Sequence, residues 1–221
     1  MLYHIPHTPY PKIVFLVGPT AVGKTKVALE LAKKISGEII SCDSMQIYKG
    51  MDIVTSKPSL KDRKKVPHHL IDFVSPKSQY DVSQYRRKAL ACINGIVRRG
   101  NIPVLVGGTG LYMSMLIDGI FELKANSQSL RNSLYKEAEK YGSAYLHQRL
   151  SKIDPQAAAK IHPNDTKRMI RALEVYKLTG KTISELKNQR KGLSDSYDVR
   201  AFCLNMNRPL LYKRIDRRVD E

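Results

Sequence analysis

The sequence predicts an α/β fold, a parallel sheet with crossover helices that is interrupted late in the chain by a helical insertion. Three observations carry this. Short β-branched runs alternate with longer amphipathic stretches in the order strand, helix, strand, helix, strand. A glycine-rich turn, GPTAVGKT at residues 18–25, joins the first run to the first amphipathic stretch. After Gly119 the strand signal stops, and only helical periodicity is found as far as about Asp195.

The first twelve residues, MLYHIPHTPYPK, carry prolines where an export signal would need an unbroken apolar run, and they read as a loose tail. Lys12 to Val17 is a short β-branched run that stops at Gly18-Pro19, a buried strand entering a turn. From Lys24 to Ile35, Val27, Ala28, Leu31, Ala32 and Ile35 form the apolar stripe of a helix, which Gly37 ends. Glu38 to Ser41 reads as the second strand, Lys57 to Lys65 as a solvated loop or helix, Tyr80 to Arg99 as a long helix and Ile102 to Val106 as the third strand. The last of these runs into Gly107-Gly108-Thr109-Gly110. In the insertion, helices are expected over Ser129 to Tyr141, Ser143 to Ile153, Pro155 to Ile161, Asp165 to Leu178 and Ile183 to Gln189. Val199 to Asn205 resumes strand character, and Leu210 to Glu221 is helical with no cap or glycine at its end, so the sequence is expected to continue in a longer parent. The expected domains are a core of residues 12–118 and 196–221 and an insertion of residues 119–195.

Hydrophobic residues make up 42% of the 221, which excludes wholesale disorder, and no apolar run approaches the ~20 residues of a membrane span. The expected location is the cytoplasm. Cys42, Cys92 and Cys203 form no close pair and read as reduced, packed thiols, and the histidines lack ligand spacing. Lys and Arg outnumber Asp and Glu by 38 to 20, a net charge of +18, and the insertion alone carries 15 against 8. Such an excess opposes compactness by self-repulsion and points to a polyanionic partner, with nucleic acid first.

The strongest chemical signal is Gly18-Pro19-Thr20-Ala21-Val22-Gly23-Lys24-Thr25, a full GxxxxGK[ST] between a strand and a helix. Loop N–H groups and the helix N-terminus can point at a polyphosphate, Lys24 adds a mobile charge, and Thr25 can hold Mg2+. The fold expected is therefore a P-loop NTPase-like parallel sheet core with a helical insertion domain. Asp43 follows the second strand, at the sheet edge where ligands lie in such folds. It could hold magnesium, accept a proton, or simply cap a turn with Ser44. Thr109 lies at the same edge and either approaches a ligand or caps a helix from Leu111 to Ile117. The third strand ends in glycine instead of the aspartate of an ordinary ATPase. Lys167, Arg168 and Arg171 sit in the first turns of a helix, where positive charge opposes the dipole, so they read either as contacts for an anionic backbone or as a solvated face. On the last helix, Arg214 and Arg218 share a face on which they could stabilise a departing diphosphate, or Arg214 could pair with Asp216 or Asp220.

Read together, GPTAVGKT (18–25), DSMQIYKGMDIVTSKP (43–58), PHHLID (67–72), VGGTGLYMSMLIDG (106–119), DPQAAAKIHPNDTKRMIRALEVYKLTGKTISEL (154–186) and RPLLYKRIDRRVD (208–220) give a chain that resembles the tRNA dimethylallyltransferases. The resemblance implies transfer of a dimethylallyl group from dimethylallyl diphosphate to N6 of adenosine 37 in the anticodon stem-loop of tRNAs that read codons beginning with U. It implies that residues 18–25 hold the isoprenoid diphosphate, with Lys24 and Thr25 contacting it directly. It makes Asp43 the base, with Ser44, Met45 and Gln46 near the target adenosine, and Arg218 the stabiliser of the leaving diphosphate. It places Thr109 and Arg131 against the tRNA, and has Lys167, Arg168, Met169, Ile170 and Arg171 grip the anticodon stem-loop. A monomer with no membrane partner is expected. The alternatives are an adenylate isopentenyltransferase, a small-molecule or nucleotide kinase, and a non-catalytic RNA-binding module. Val54 stands where the family pattern has glycine, and a positive φ there would strain it.

Overall fold

The computed structural model describes residues 10–121 and 127–220, so most of the expected tail and residues 122–126 of the insertion lie outside the described residues. These residues form two compact units, one made of the chain up to Gly119 together with Lys191 onwards, the other of Ile120–Arg190.

In the first unit, strands β1 (Lys12–Val17), β2 (Gly37–Ser41), β3 (His68–His69), β4 (Ile102–Gly107) and β5 (Asp198–Cys203) form one sheet in the order β3-β2-β4-β1-β5, with every pairing parallel. A strand buried on both faces needs apolar side chains on both, which is why the runs are nearly continuous and do not alternate. Ile13 and Phe15 of β1 point to one face, where Ile40, Leu105 and Ile93 complete a fully buried cluster. Val14 and Leu16 point to the other, against Ala28, Leu29 and Ala32. The first face is covered by α3 (Val82–Arg98) and α4 (Gly110–Ile117), the second by α1 (Lys24–Lys34). Helix α3 starts where Asp81 accepts a 2.8 Å hydrogen bond from the Gln84 N–H, satisfying one of the orphan donors of the first turn. A short helix, α2 (Leu60–Lys65), lies in the charged stretch, between β2 and β3.

The strand β3 has no counterpart among the expected elements. Two histidines carry no periodicity, and the strand exists only because it pairs with Ile39 and Ile40 of β2. Among the cysteines, Cys42 is buried and Cys92 half-buried, but Cys203 is exposed, since β5 is an edge strand; all three are free thiols.

At the edge of the sheet opposite the glycine-rich turn, Glu38 is 3% exposed. Arg99 donates to both its oxygens at 2.9 and 2.8 Å, Asn101 donates at 2.8 Å, and the His69 Nε2 lies 2.6 Å away. The Arg99 hydrogen bond leads, ahead of the opposing effect of burial, in lowering its pKa from the usual 4.5 to about 2. A carboxylate whose folded pKa is depressed stabilises the protein above its unfolded pKa and stops doing so as pH falls through the folded one. Its contribution at neutral pH is on the order of 3 kcal/mol, lost between about pH 5 and pH 2. Glu38→Gln is therefore expected to lower stability at pH 7 and to flatten that acid limb, as measured by urea unfolding across the pH range. An acid limb equal to that of the parent would remove Glu38 as its source.

The chain leaves and re-enters this unit at two glycines. A Cβ on Gly119 would lie 2.2 Å from the Lys191 carbonyl oxygen, and one on Gly192 would lie 1.9 Å from that of Ile117. The 3-10 turn Leu193–Asp195 belongs to this unit. The last described helix is α10 (Arg208–Asp220), none of whose residues is buried.

The second unit contains α5 (Gln128–Tyr141), α6 (Ser143–Ile153), α7 (Pro155–Ala158), α8 (Thr166–Thr179) and α9 (Ile183–Asn188). Leu134, Leu146, Leu150, Met169, Ile170 and Leu173 make its core. Asp154, 3% exposed, caps α7 through the Ala157 N–H at 3.0 Å and takes the Ser184 N–H and hydroxyl at 3.0 and 2.7 Å, which ties α9 to α7. Met169 and Ile170 are 0% and 1% exposed. The expectation that all of residues 167–171 grip RNA is corrected here, because two of the five face the core.

Candidate active site

Beyond the carboxyl ends of β1, β2 and β4, a cleft of about 1060 Å³ opens in the first unit. The strand order explains its place: β2 and β4 lie on one side of β1 and β5 on the other, so the connections diverge at β1 and leave a crevice there.

The turn after β1 forms one wall through Thr20, Ala21, Gly23, Lys24 and Thr25. Two of its glycines are required. A Cβ on Gly18 would meet the Leu204 carbonyl oxygen at 2.4 Å, and Gly23 holds φ 101°, in the region that side chains avoid. The Lys24 ammonium donates to the carbonyls of Gly18 and Pro19 at 2.8 and 2.7 Å. Burial lowers its pKa, Asp43 opposes this, and Arg218 reinforces it. The loop lysine, the acid and the arginine of the last helix thus act on one another. The Thr25 hydroxyl makes no protein hydrogen bond among the described residues.

Asp43 forms the wall beyond β2. Its Oδ1 accepts from the N–H groups of Met45 at 2.8 Å and Gln46 at 3.4 Å, so the turn-capping role is realised on one oxygen only. Oδ2 has no protein partner among the described residues. Thr109 begins α4 without a side-chain cap; its hydroxyl instead accepts from the Ser44 N–H at 3.1 Å and donates to the Ser44 hydroxyl at 3.4 Å. With the Cys42 N–H on the Val106 carbonyl at 2.7 Å and the Thr109 N–H on the Cys42 carbonyl at 3.3 Å, it fixes the segment that carries Asp43. Neither Thr109 nor Ser44 lines the cleft, whereas Met45 and Gln46 do. Gln46 is braced by the Ser41 hydroxyl at 2.9 Å and by the carbonyls of Thr55 and Ser56.

Helix α10 supplies Arg214, Arg217 and Arg218 to the same cleft. Arg214 pairs with neither Asp216 nor Asp220 among the described residues; its NH1 lies 3.8 Å from the Met206 sulfur. Among the described residues that line it, three guanidiniums and Lys24 accompany one carboxylate, a lining suited to an anionic ligand.

Two residues at or behind the site, Lys57 and His68, escaped the sequence reading. Lys57, read as part of a solvated stretch, has a side chain only 1% exposed. It donates to the Tyr48 carbonyl at 2.7 Å and to Asp52 at 2.9 Å, and pairs with Asp72, which Arg63 also holds. Burial opposes the ammonium, but hydrogen bonds to Asp72 and Asp52 outweigh it and raise its pKa. This network joins residues 43–58 to 67–72 and sets the turn whose Ile53 and Val54 line the cleft. Val54 does not have positive φ; the strained residue is Ser56, at φ 47°. His68 also lines the cleft: its Nδ1 lies 2.7 Å from the Val66 carbonyl, which can only accept, while its buried Nε2 makes no hydrogen bond. Burial lowers its pKa, so the ring is neutral and Nε2 is an acceptor.

Arg131, Lys167, Arg168 and Arg171 belong to the second unit. Asp165 caps α8 through the Arg168 N–H at 3.1 Å and pairs with the Arg168 guanidinium at 3.3 Å. Among the described residues no helix is long and apolar enough to cross a membrane, and no group of three His, Cys, Asp or Glu could hold a metal ion.

The family model described as IPP transferase matches residues 46–221, and that described as isopentenyl transferase matches residues 11–72. The chain belongs to the IPP transferase family. Among IPP transferase relatives, a tRNA dimethylallyltransferase of Halothermothrix orenii is 47% identical over 94% of this chain and 64% of its own length, and one of Carboxydothermus hydrogenoformans is 49% identical over 95% and 68%. The chain thus spans about two thirds of the length of these relatives. A eukaryotic dimethylallyltransferase captured acting on tRNA superposes with a TM-score of 0.81 at 36% identity, covering 95% of this chain and 52% of that one. The full-length tRNA isopentenylpyrophosphate transferase of Bacillus halodurans gives 0.61 at 44% identity, over 95% and 65%.

Proposed function

We propose that the chain transfers a dimethylallyl group from dimethylallyl diphosphate to N6 of adenosine 37 in tRNAs that read codons beginning with U. The observation that carries this is the single cleft in which the glycine-rich turn, Asp43 and the arginines of α10 all meet. Diphosphate lies on the loop N–H groups and Lys24, with the prenyl group directed toward Asp43. An exocyclic aromatic amine is a weak nucleophile, because its lone pair is delocalised into the ring. Both a proton acceptor and a stabilised leaving group are therefore needed. As N6 attacks C1 of the prenyl group, the C1–O bond breaks and diphosphate departs with the electron pair. Asp43 takes the N6 proton on Oδ2, which its turn leaves without a protein partner. Arg218 meets the charge that develops on the departing oxygen, where preorganised donors act most strongly. The adenine must leave the stack of its loop to enter the cleft, which is cheaper in a single-stranded loop than in a duplex.

The donor set fits magnesium carried in on the diphosphate. Mg2+ is commonly held by one or two protein oxygens plus substrate phosphates, not by a dedicated cage, and the Thr25 hydroxyl beside Lys24 is such an oxygen on the cleft wall. Bound there, the ion would neutralise charge on the leaving diphosphate.

The test is incubation of the chain with labelled dimethylallyl diphosphate and unmodified tRNA, with AMP as competitor. Label on adenosine 37 that AMP does not displace is expected. Label on AMP in preference to tRNA would overturn the choice of acceptor, and absence of any transfer would overturn the reaction.

A further inference from the structure

Between Gly50 and Pro58 the chain makes a turn whose tip is apolar and bare. Ile53 and Val54 are 92% and 81% exposed, and both line the cleft that Asp43 and Gln46 also line. A single exposed apolar side chain is ordinary on a protein surface. Two adjacent β-branched ones at the rim of a ligand cleft are not explained by folding, because most of their surface stays in water.

The turn that carries them is fixed. The Thr55 hydroxyl donates to the Met51 carbonyl at 2.6 Å, the Ser56 N–H to the Ile53 carbonyl at 2.9 Å, and the Lys57 N–H to the Asp52 carbonyl at 3.1 Å. The buried Lys57 ammonium joins Tyr48, Asp52 and Asp72, and the Gln46 amide donates to the Thr55 and Ser56 carbonyls at 3.4 Å each. Ser56 completes the turn at φ 47°, a conformation that side chains rarely adopt. So much bracing keeps the tip from folding its side chains away, and their exposure is built in.

The reaction proposed above creates a surface for such a tip to cover. Once adenine leaves its stack to reach Asp43, the bases on either side lose a neighbour, an unstacking cost that enzymes acting on bases must meet. An aliphatic side chain suits the vacated step, since it is apolar and needs no hydrogen-bond partner there. The prenyl group is the weaker candidate. It is tethered to a diphosphate held by the loop inside the cleft, whereas side chains this exposed face what approaches from outside. We propose that Ile53 and Val54 form an apolar wedge that fills the step vacated by the target adenine and keeps that base out of its stack. This rests on the tRNA reading above.

The probe is an anticodon stem-loop RNA with 2-aminopurine in place of adenosine 37. Its fluorescence rises when the base unstacks, and it lacks the N6 amine, so binding is read without transfer. The wild-type chain is expected to raise the emission, and the double variant Ile53→Ser, Val54→Ser to lose most of that rise. Anisotropy should show its RNA Kd raised about fivefold, with the slope of log Kd against log salt unchanged because no charge is removed. The Kd for dimethylallyl diphosphate should stay at the parental value in calorimetry. Ile53→Met, which keeps an apolar tip, should retain the emission change. An undiminished signal from the double variant would overturn the proposal and leave the transfer reading standing, as would a wild-type chain that binds the RNA without raising the emission. Weaker binding of dimethylallyl diphosphate with an unaltered RNA Kd would also overturn it, by assigning the tip to the prenyl group. Surface substitutions of this kind seldom unfold a protein, and if the double variant does not fold, Ile53→Ala carries the same readings. A wild-type chain that binds no stem-loop RNA would overturn the tRNA reading, and this proposal with it.

Discussion

Asp43→Asn is expected to reduce kcat by about 10²- to 10⁴-fold, the range of a lost general base. The substitution is chosen because asparagine keeps the Oδ1 acceptor that receives the Met45 and Gln46 N–H groups, so the turn survives. What disappears is the oxygen able to take a proton. The loss of the charge that favours protonated Lys24 is a smaller effect, felt in diphosphate binding. The KM for dimethylallyl diphosphate should therefore rise much less than kcat falls, and the Kd for tRNA should be nearly constant. Single-turnover kinetics with labelled donor would show this directly. A rate within about threefold of the parent would mean that the N6 proton goes elsewhere.

The second large effect is expected at Gly107→Ala. A Cβ at this position would lie 2.1 Å from the Cys42 carbonyl oxygen, 2.4 Å from its carbon and 2.9 Å from its Cα. All three are backbone atoms held by the hydrogen bonds from Cys42 to Val106 and from Thr109 to Cys42, so no rotamer change relieves the clash. The segment that carries Asp43 must move. A loss of about 2–4 kcal/mol in urea unfolding is expected, with activity falling further than the unfolded fraction explains. Gly110→Ala is the control, since a Cβ there meets nothing within 4 Å at the start of α4, and it should leave stability within about 1 kcal/mol. Equal behaviour of the two variants would count against the steric account. The same contact explains why β4 ends in glycine: an aspartate of the ATPase type has no room beside Cys42.

The sheet and the phosphate turn were legible because they rest on local signals. The β1 run, the spacing of the glycines and the stripe of α1 all lie within two dozen residues, and each supports the same reading. What escaped depends on partners distant in the chain. The hydroxyl of Thr109 could have capped its own helix, and only the fold brings it to Ser44, 65 positions away. Lys57 sits among charged neighbours, and nothing local announces that Tyr48, Asp52 and Asp72 enclose it. The burial of Met169 and Ile170 is itself written in a local signal. Met169, Ala172 and Leu173 form the i, i+3, i+4 stripe of a core-facing helix, with Ile170 three residues before Leu173, a periodicity that outweighs their place inside a basic stretch.

The glycines at 119 and 192 give this architecture a modular character. Because the outgoing and returning backbones touch at both points, the stubs on either side of residues 120–190 already meet within the first unit. A short linker could close that gap without moving a strand. Replacing residues 120–190 by such a linker is therefore expected to leave the sheet of the first unit folded.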